Sequence, residues 1–168
     1  NKEHFFGGEG HIVQIDESII TRRKYNRGRI VPQNIGIFDT NLKKGLIKYI
    51  KNRSAESLEA IIRTHVRPNS EIWTDMWKGY SNLENLGFTH KTVNHSKNFI
   101  DPDSGVCTNM VEGHWSVMKG YFRRLSVMPS KFLPEYIDQF MWNETYGGTA
   151  FNRLKNLTTH ISEMYHLN

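Results

Sequence analysis

Apolar and polar residues alternate near the beginning of the chain, and this pattern predicts β-structure there. In segment 11–17, HIVQIDE, Val13 and Ile15 point to one face of a predicted strand. Gln14 and Asp16 point to the other face. Similar patterns predict further strands at 30–39, 44–52, 70–75 and 88–95. Because a carboxylate inside an apolar strand is costly without a partner, Asp16 is the first residue that indicates chemistry.

Two later segments have the spacing of amphipathic helices. Ser54 can cap the first, at 54–66, whose stripe consists of Leu58, Ile61, Ile62 and His65. The clearest helix is at 108–125, where apolar residues recur at steps of four, three, four and three: Val111, Trp115, Met118, Phe122 and Leu125. A short helix is predicted at 79–87, and one or two more follow Pro134 around Gly147–Gly148. This order predicts a mixed sheet with helices packed on it.

Composition and charge fit one globular domain with an acidic partner. The chain has 168 residues, of which 38% are hydrophobic and 23% charged. Lys and Arg number 22 against 17 Asp and Glu, and the pI near 9.3 favours nucleic acid over a membrane surface. The single cysteine excludes an internal disulfide, and no apolar run has the length of a membrane span.

The first residues bear on the extent of the chain. They lack the basic-then-apolar order of a signal peptide, and the chain starts at Asn1 rather than Met. We therefore expect a core fragment of a longer protein, with any separate recognition or targeting domain outside it.

Three acids at distant positions can form one site. Asp16 lies in the first predicted strand, Asp75 ends the fourth, and Glu112 opens the clearest helix. If the first and fourth strands are neighbours, a helix crossing the sheet can bring Glu112 beside the two aspartates. Gathered carboxylates repel one another, and a divalent cation relieves the repulsion. Mg²⁺ fits this role at a phosphate, because it binds few carboxylates and two such ions can act together.

Each acid also has a simpler interpretation. Asp16 can pair with a nearby arginine, Asp75 can cap the turn that follows it, and Glu112 has capping-box spacing from Asn109. Other acids fit the same three-acid hypothesis: Glu17, Asp39, Asp101 and Asp103.

The polar face of the clearest helix has two interpretations as well. It consists of Glu112, Ser116, Lys119 and Arg123. An acid followed by bases suits a metal ligand beside a phosphate track, and a plain solvated face gives the same pattern. A zinc site can be drawn on paper, although its spacing matches no recognised finger, from His90, His95, Cys107 and His114.

Five blocks in order resemble a known family. They are VQIDES at 13–18, RRKYNRGR at 22–29, IWTDMWKGY at 72–80, HKTVNHSKNF at 90–99 and GVCTNMVEGHWSVMK at 105–119. Together they resemble the catalytic domain of the Merlin superfamily of DDE transposases and its bacterial ISXO2-like insertion-sequence relatives. The resemblance covers about residues 8–142, most of the chain.

The resemblance implies an α/β, RNase H-like fold with a five-stranded mixed sheet flanked by helices. It also implies that Asp16, Asp75 and Glu112 are catalytic and bind two Mg²⁺ or Mn²⁺ ions, and that Lys119 contacts transposon-end DNA. The implied reaction is DNA strand cleavage and strand transfer without a covalent enzyme intermediate. We expect one domain over 1–168, with a core at about 8–142 and a helical extension at 143–168.

The expected partner is DNA, both transposon ends and target. The basic turn around Tyr25 favours a phosphate backbone, although a nuclear-import signal or a plain solvated turn gives the same composition. The expected DNA contacts beyond Lys119 are Arg22, Arg23, Lys24, Arg27, Arg29, Asn94, His95 and Arg123.

Transposases of this class generally assemble, so the resemblance implies a homodimer or larger assembly. We expect action in a nucleus, or in the cytoplasm of a bacterium, and no membrane. Two other functions stay open: a domesticated or inactive DNA-binding derivative, and a structural domain whose acids are capped or salt-bridged.

Overall fold

Five strands form one mixed sheet in the computed structural model, which describes residues 5–20, 33–50, 52–94, 100–125 and 130–166. The described ranges contain seven strands in all: β1 (Phe6–Gly7), β2 (Ile12–Ser18), β3 (Gln33–Asp39), β4 (Lys44–Ile50), β5 (Val66–Arg67), β6 (Glu71–Asp75) and β7 (Thr89–Val93). The order in the sheet is β4-β3-β2-β6-β7, and β1 and β5 form a separate short parallel pair. β2, β3 and β4 are antiparallel, whereas β2, β6 and β7 are parallel. The predicted mixed sheet is confirmed.

Four α-helices accompany the strands in the described ranges. They are α1 (Ala55–His65), α2 (Asn109–Arg123), α3 (Leu133–Tyr146) and α4 (Ala150–Tyr165). The chain divides into two compact units, Asn1–Ser126 and Val127–Asn168. The single domain expected over 1–168 therefore stays a prediction. In the described part of the chain, no helix is both long and apolar enough to cross a membrane.

Local sequence explains most element boundaries. Ser54 caps α1 as predicted, because its side chain accepts a hydrogen bond from the amide of Ser57. The predicted helix at 79–87 is instead two 3-10 turns, Lys78–Tyr80 and Glu84–Leu86, and this prediction was wrong. The segment GYSNLENLG is rich in glycine, serine and asparagine, which are weak helix formers.

The start of α2 also corrects a prediction. Thr108 occupies the N-cap position without a side-chain cap bond, and Asn109 is already the first residue of the helix, so the capping box expected from Asn109 to Glu112 does not form. The predicted apolar face is confirmed for Val111, Trp115, Met118 and Phe122, which are buried. The helix ends at Arg123, so the predicted extension to Leu125 was wrong, and Leu125 is only partly buried.

Helix α2 packs against β2 and β3, and a glycine permits the close approach. A Cβ added at Gly36 in β3 would lie 2.9 Å from Trp115 Cζ2 and 3.0 Å from Val111 Cγ2. Gly36 is paired with Asp16 across the β2–β3 ladder. The missing side chain therefore lets α2 lie close to the sheet beside Asp16.

Two hydrogen bonds join helices α3 and α4 of the second unit. Trp142 Nε1 of α3 donates to His160 Nδ1 of α4 at 3.0 Å, and the side-chain amide of Asn156 donates to the backbone carbonyl of Tyr146. Elsewhere α4 exposes a row of large apolar side chains: Phe151, Leu154, Leu157, Ile161, Met164 and Tyr165.

Gly36→Ala should destabilise the protein, because the new methyl group would overlap Trp115 and Val111. We expect the free energy of unfolding to fall by about 1–3 kcal/mol, measured by urea denaturation. The matched control is Gly113→Ala on α2, where nothing lies within 4 Å of the added Cβ. That control should gain up to about 1 kcal/mol from helix propensity. Equal effects of the two changes would contradict the close approach at Gly36.

Candidate active site

Asp16 and Asp75 lie on the same face of the sheet. In the parallel pairing of β2 and β6, Gln14 is the partner of Trp73. Asp16 and Asp75 each lie two residues further along their strands. Because side chains alternate along a strand, all four residues point to one face. β2 and β6 correspond to the first and fourth predicted strands. They are neighbours in the sheet, as the three-acid hypothesis requires.

Helix α2 runs along β2 on that same face. At one end, Gln14 Oε1 accepts hydrogen bonds from the amides of Met110 and Val111 at 2.9 and 3.1 Å. At the other end, Lys119 Nζ donates to Ser18 Oγ at 2.6 Å. Gln14 to Ser18 spans about 13 Å of strand, and Met110 to Lys119 spans about 13.5 Å of helix. The helix and the strand are therefore aligned along this length.

The alignment fixes the direction in which Glu112 points. Residues seven apart on a helix share a face, so Glu112 lies on the side of α2 from which Lys119 contacts Ser18. Asp16 lies between the two contact points on β2. The structure thus brings Glu112 to the face that carries Asp16 and Asp75.

Electrostatics at Asp16 reflect this gathering. Burial, and after it the negative charges of Glu17, Asp75 and Glu112, together raise the pKa of Asp16 to about 7. The carboxylates of Asp75 and Glu112 are therefore close enough to act on Asp16. Such a group is stabilised by a proton or by a cation.

Asp75 and Glu112 also take part in local hydrogen bonds. Asp75 Oδ1 accepts from the amide of Trp77 at 3.0 Å, so it caps the following turn, as its simpler interpretation expected. Thr108 Oγ1 donates to Glu112 Oε1 at 2.7 Å. Within the described ranges, no three His, Cys, Asp or Glu side chains form a group that could hold a metal ion as they stand. Sharing an ion with Asp16 requires these carboxylates to turn toward it.

Of the other predicted site residues, some lie in the ranges that the structure describes and the rest lie outside them. Arg123 is exposed near the end of α2, and Asn94 directly follows β7. The predicted DNA contacts that lie outside the described residues are Arg22, Arg23, Lys24, Arg27, Arg29 and His95. The arginine partners considered for Asp16 belong to this undescribed segment too.

Three of the alternative acids, Glu17, Asp39 and Asp101, have structural partners. Asp39 is buried and accepts hydrogen bonds from the amides of Gly7 and Leu42 and from His11, and the bonds to Leu42 and Gly7 keep its pKa low despite burial. Asp101 organises its own turn, accepting from the amide and hydroxyl of Ser104.

Sequence reasoning missed Gln14, and it named Glu17 only as an alternative acid. Gln14 caps α2 from a strand 96 positions away, in place of the side chain of Thr108, which makes no cap bond. Glu17 is buried against Arg53 and Tyr80. Strand alternation offered a signal for Glu17, because it shares the face of Val13 and Ile15, which are fully buried. Nothing in the spacing identified its partners.

Solved structures of other proteins share this fold. The HTLV-2 integrase catalytic core domain in complex with magnesium, in trimeric form, has a TM-score of 0.51 at 14% identity, covering 80% of this chain and 84% of that chain. The BIV integrase catalytic core domain has a TM-score of 0.51 at 14% identity, covering 79% and 82%. A simian T-cell lymphotropic virus intasome in complex with PP2A regulatory subunit B56 gamma has a TM-score of 0.53 at 19% identity, covering 85% and 51%. The fold is the RNase H-like fold of integrase catalytic cores, as predicted.

Sequence comparison then gives the family. The model of the ISXO2-like transposase domain matches residues 2–145. A protein of Haemophilus influenzae, described as an uncharacterized transposase-like protein, is 26% identical over 93 residues, 55% of this chain and 74% of its own length. The chain belongs to the ISXO2-like transposase domain family, and the bacterial relatives predicted from the five blocks are confirmed.

The raised pKa of Asp16 predicts a pH-dependent stability. The unfolded chain releases this proton near its ordinary pKa of 3.8 and the folded protein near 7. The stabilising contribution is therefore full below about pH 4 and is lost as the pH rises to about 7. Without divalent metal, Asp16→Asn should raise the free energy of unfolding at pH 8 by about 1–2 kcal/mol more than at pH 4.

Urea denaturation at the two pH values measures this difference. Asp103→Asn, which removes the same charge from an exposed loop, is the control. An Asp16→Asn effect that is the same at both pH values would show that Asp16 does not hold its proton in the folded protein.

Proposed function

We propose that this chain is the catalytic core of a DDE transposase that cuts DNA at transposon ends and transfers the cut strand to target DNA. One observation carries the proposal: Asp16, Asp75 and the Glu112-bearing face of α2 meet on one face of the sheet, where burial and like charges act on Asp16. The transposase family membership and the integrase-core fold support the same chemistry.

The donor set fits a divalent cation. Three carboxylates offer oxygen ligands, and the electrostatic strain on Asp16 is of the kind that a cation relieves. Asp16, Asp75 and Glu112 would hold two Mg²⁺ or Mn²⁺ ions, with Asp16 contributing to both and Asp75 and Glu112 to one each. When bound, such ions supply activation of the attacking oxygen and neutralisation of charge on the phosphate. Magnesium in one similar viral integrase core adds support.

The reaction consists of two displacements at phosphorus. In the first, the oxygen of water forms a bond to the phosphorus at the transposon end, and the 3′ oxygen leaves as a hydroxyl group. In the second, that 3′ hydroxyl oxygen attacks a target phosphodiester and displaces another 3′ oxygen. Neither step forms a bond to the protein, so the chain contributes ligands and orientation.

DNA contacts follow from charge. Lys119 lies beside the acids, where its Nζ donates to Ser18 at the end of β2. Arg123, one turn further along α2, is exposed and can follow a phosphate backbone. We propose Asn94, His95 and the basic segment 22–29 as further contacts, in line with the net charge of +5.

Assembly, classification and location complete the proposal. We propose a homodimer or larger assembly, supported by a similar viral integrase core solved in dimeric form and by the exposed apolar row of α4. The finer Merlin assignment rests on the five sequence blocks. For location we favour a nucleus over a bacterial cytoplasm.

An inactive DNA-binding derivative is the second candidate. It is favoured by one observation: in the ranges that the structure describes, the three carboxylates do not form a ready-made metal group. Binding of DNA without metal-dependent cleavage would support this candidate.

Asp75→Asn tests the proposed chemistry. The change should lower Mg²⁺-dependent cleavage of transposon-end DNA by at least about 100-fold, because it removes a metal ligand. DNA affinity should be unchanged or higher, since a negative charge near the phosphates is lost. A labelled duplex on a denaturing gel and a gel-shift titration measure the two effects. Asp103→Asn is the control, and a normal cleavage rate in Asp75→Asn would exclude this residue as a ligand.

Lys119→Ala tests the proposed DNA contact. Losing one phosphate contact should weaken binding and reduce the slope of log Kobs against log salt by about one. Fluorescence anisotropy at several salt concentrations measures the slope. Lys155→Ala on α4, an exposed lysine outside the site, should leave it unchanged. An unaltered slope in Lys119→Ala would remove this residue from the DNA interface.

A further inference from the structure

Glu17 is a buried carboxylate that the proposed chemistry does not use. It follows Asp16 on β2 and therefore points to the opposite face of the sheet. Its side chain is 4% exposed. Arg53 Nη2 donates to Glu17 Oε2 at 2.6 Å, and the hydroxyl of Tyr80 donates to Glu17 Oε1. Both carboxylate oxygens are thus occupied by protein donors.

The partners of Glu17 lead to the second aspartate. The guanidinium of Arg53 lies over the ring of Trp77, with Cζ 4.1 Å from the centroid. The rings of Trp77 and Tyr80 meet edge to face with centroids 5.8 Å apart. The amide of Trp77 donates to Asp75 Oδ1. We call Glu17, Arg53, Trp77 and Tyr80 the Glu17 cluster.

The backbone pairing between the strands stops before the aspartates. The described β2–β6 ladder consists of three pairs, and the last is Gln14 with Trp73. Asp16 and Asp75 lie two residues beyond it. At their level, the Glu17 cluster links the end of β2 to the turn that follows β6. A side-chain link there can hold the two strand ends at a fixed separation.

We propose that Glu17 is a positioning residue, which acts through Arg53, Trp77 and Tyr80 to set the separation of the Asp16 and Asp75 carboxylates. This inference rests on the proposed function, because it assumes that the two aspartates share a cation. Groups that orient metal ligands typically change metal affinity by about 10–100-fold when removed. Glu17 does so from the face opposite the ligands, without touching the ion.

The test measures Mn²⁺ binding by the whole chain without DNA, using the loss of the free-ion signal in electron paramagnetic resonance. Glu17→Gln and Tyr80→Phe keep the side-chain shapes but weaken or remove one link each. Each should raise the Kd for Mn²⁺ by about 10-fold or more. Circular dichroism checks the fold, and if Glu17→Gln does not fold, the milder Tyr80→Phe decides the question.

Glu71→Gln is the matched control. Glu71 is also a carboxylate with one aromatic and one cationic partner, accepting from Trp73 Nε1 and pairing with Lys91, but it lies at the other end of β6. The Glu71→Gln variant should bind Mn²⁺ with the same Kd as the wild type. Cleavage assays on the same variants should show a higher Mg²⁺ requirement for Glu17→Gln and Tyr80→Phe, and no change for Glu71→Gln.

The outcomes separate this inference from the function on which it rests. If Asp16→Asn binds Mn²⁺ like the wild type, the proposed metal site itself is wrong. If Asp16→Asn loses Mn²⁺ while Glu17→Gln and Tyr80→Phe match Glu71→Gln, only the positioning role is overturned. Weakened binding in Glu17→Gln alone, with Tyr80→Phe normal, would show that the link through Tyr80 does not set the separation of the aspartates, and it would also overturn the proposal.

Discussion

The burial of Asp16 beside other carboxylates at the end of β2 is the constraint on which the rest of the structure depends. Asp16 is half-buried, and burial together with neighbouring negative charges raises its pKa to about 7. A folded protein retains such a group where function requires it, because placing the charge there lowers stability. The surrounding elements hold the acids together against this cost, and a cation would relieve it.

Two contacts bring the helix of Glu112 to this place. Gln14 binds the free amides at the beginning of α2, so the helix starts at a fixed point on β2. Gly36, the partner of Asp16 in the next strand, leaves room for Trp115 and Val111. Neither contact involves a reacting group, yet together they decide which residues of α2 face Asp16. The same arrangement carries Lys119 to the far end of the strand, where phosphates of a bound DNA would meet a positive charge.

The sequence predicts the parts of this site that depend on local periodicity. Alternation in β2 assigned Asp16 to a face, and helical spacing identified the buried side of α2. The residues that join distant segments were not predictable, because a hydrogen bond such as that from Met110 to Gln14 leaves no periodic trace in either segment. The bond from Thr108 to Glu112 was missed for another reason: the helix begins one residue earlier than the capping box on Asn109 would require. Glu17 was partly predictable, since strand alternation indicates its burial but does not identify its partners.

The central claim is that distant acids of one chain share a cation on one face of the sheet. A crystal of this protein soaked in MnCl₂, measured at the manganese absorption edge, tests it most directly. The account predicts an anomalous peak about 2–2.5 Å from carboxylate oxygens of both Asp16 and Asp75, with Glu112 turned away from Thr108 toward it. An ordered crystal with no peak there, or with the aspartate carboxylates too far apart to share an ion, would contradict it.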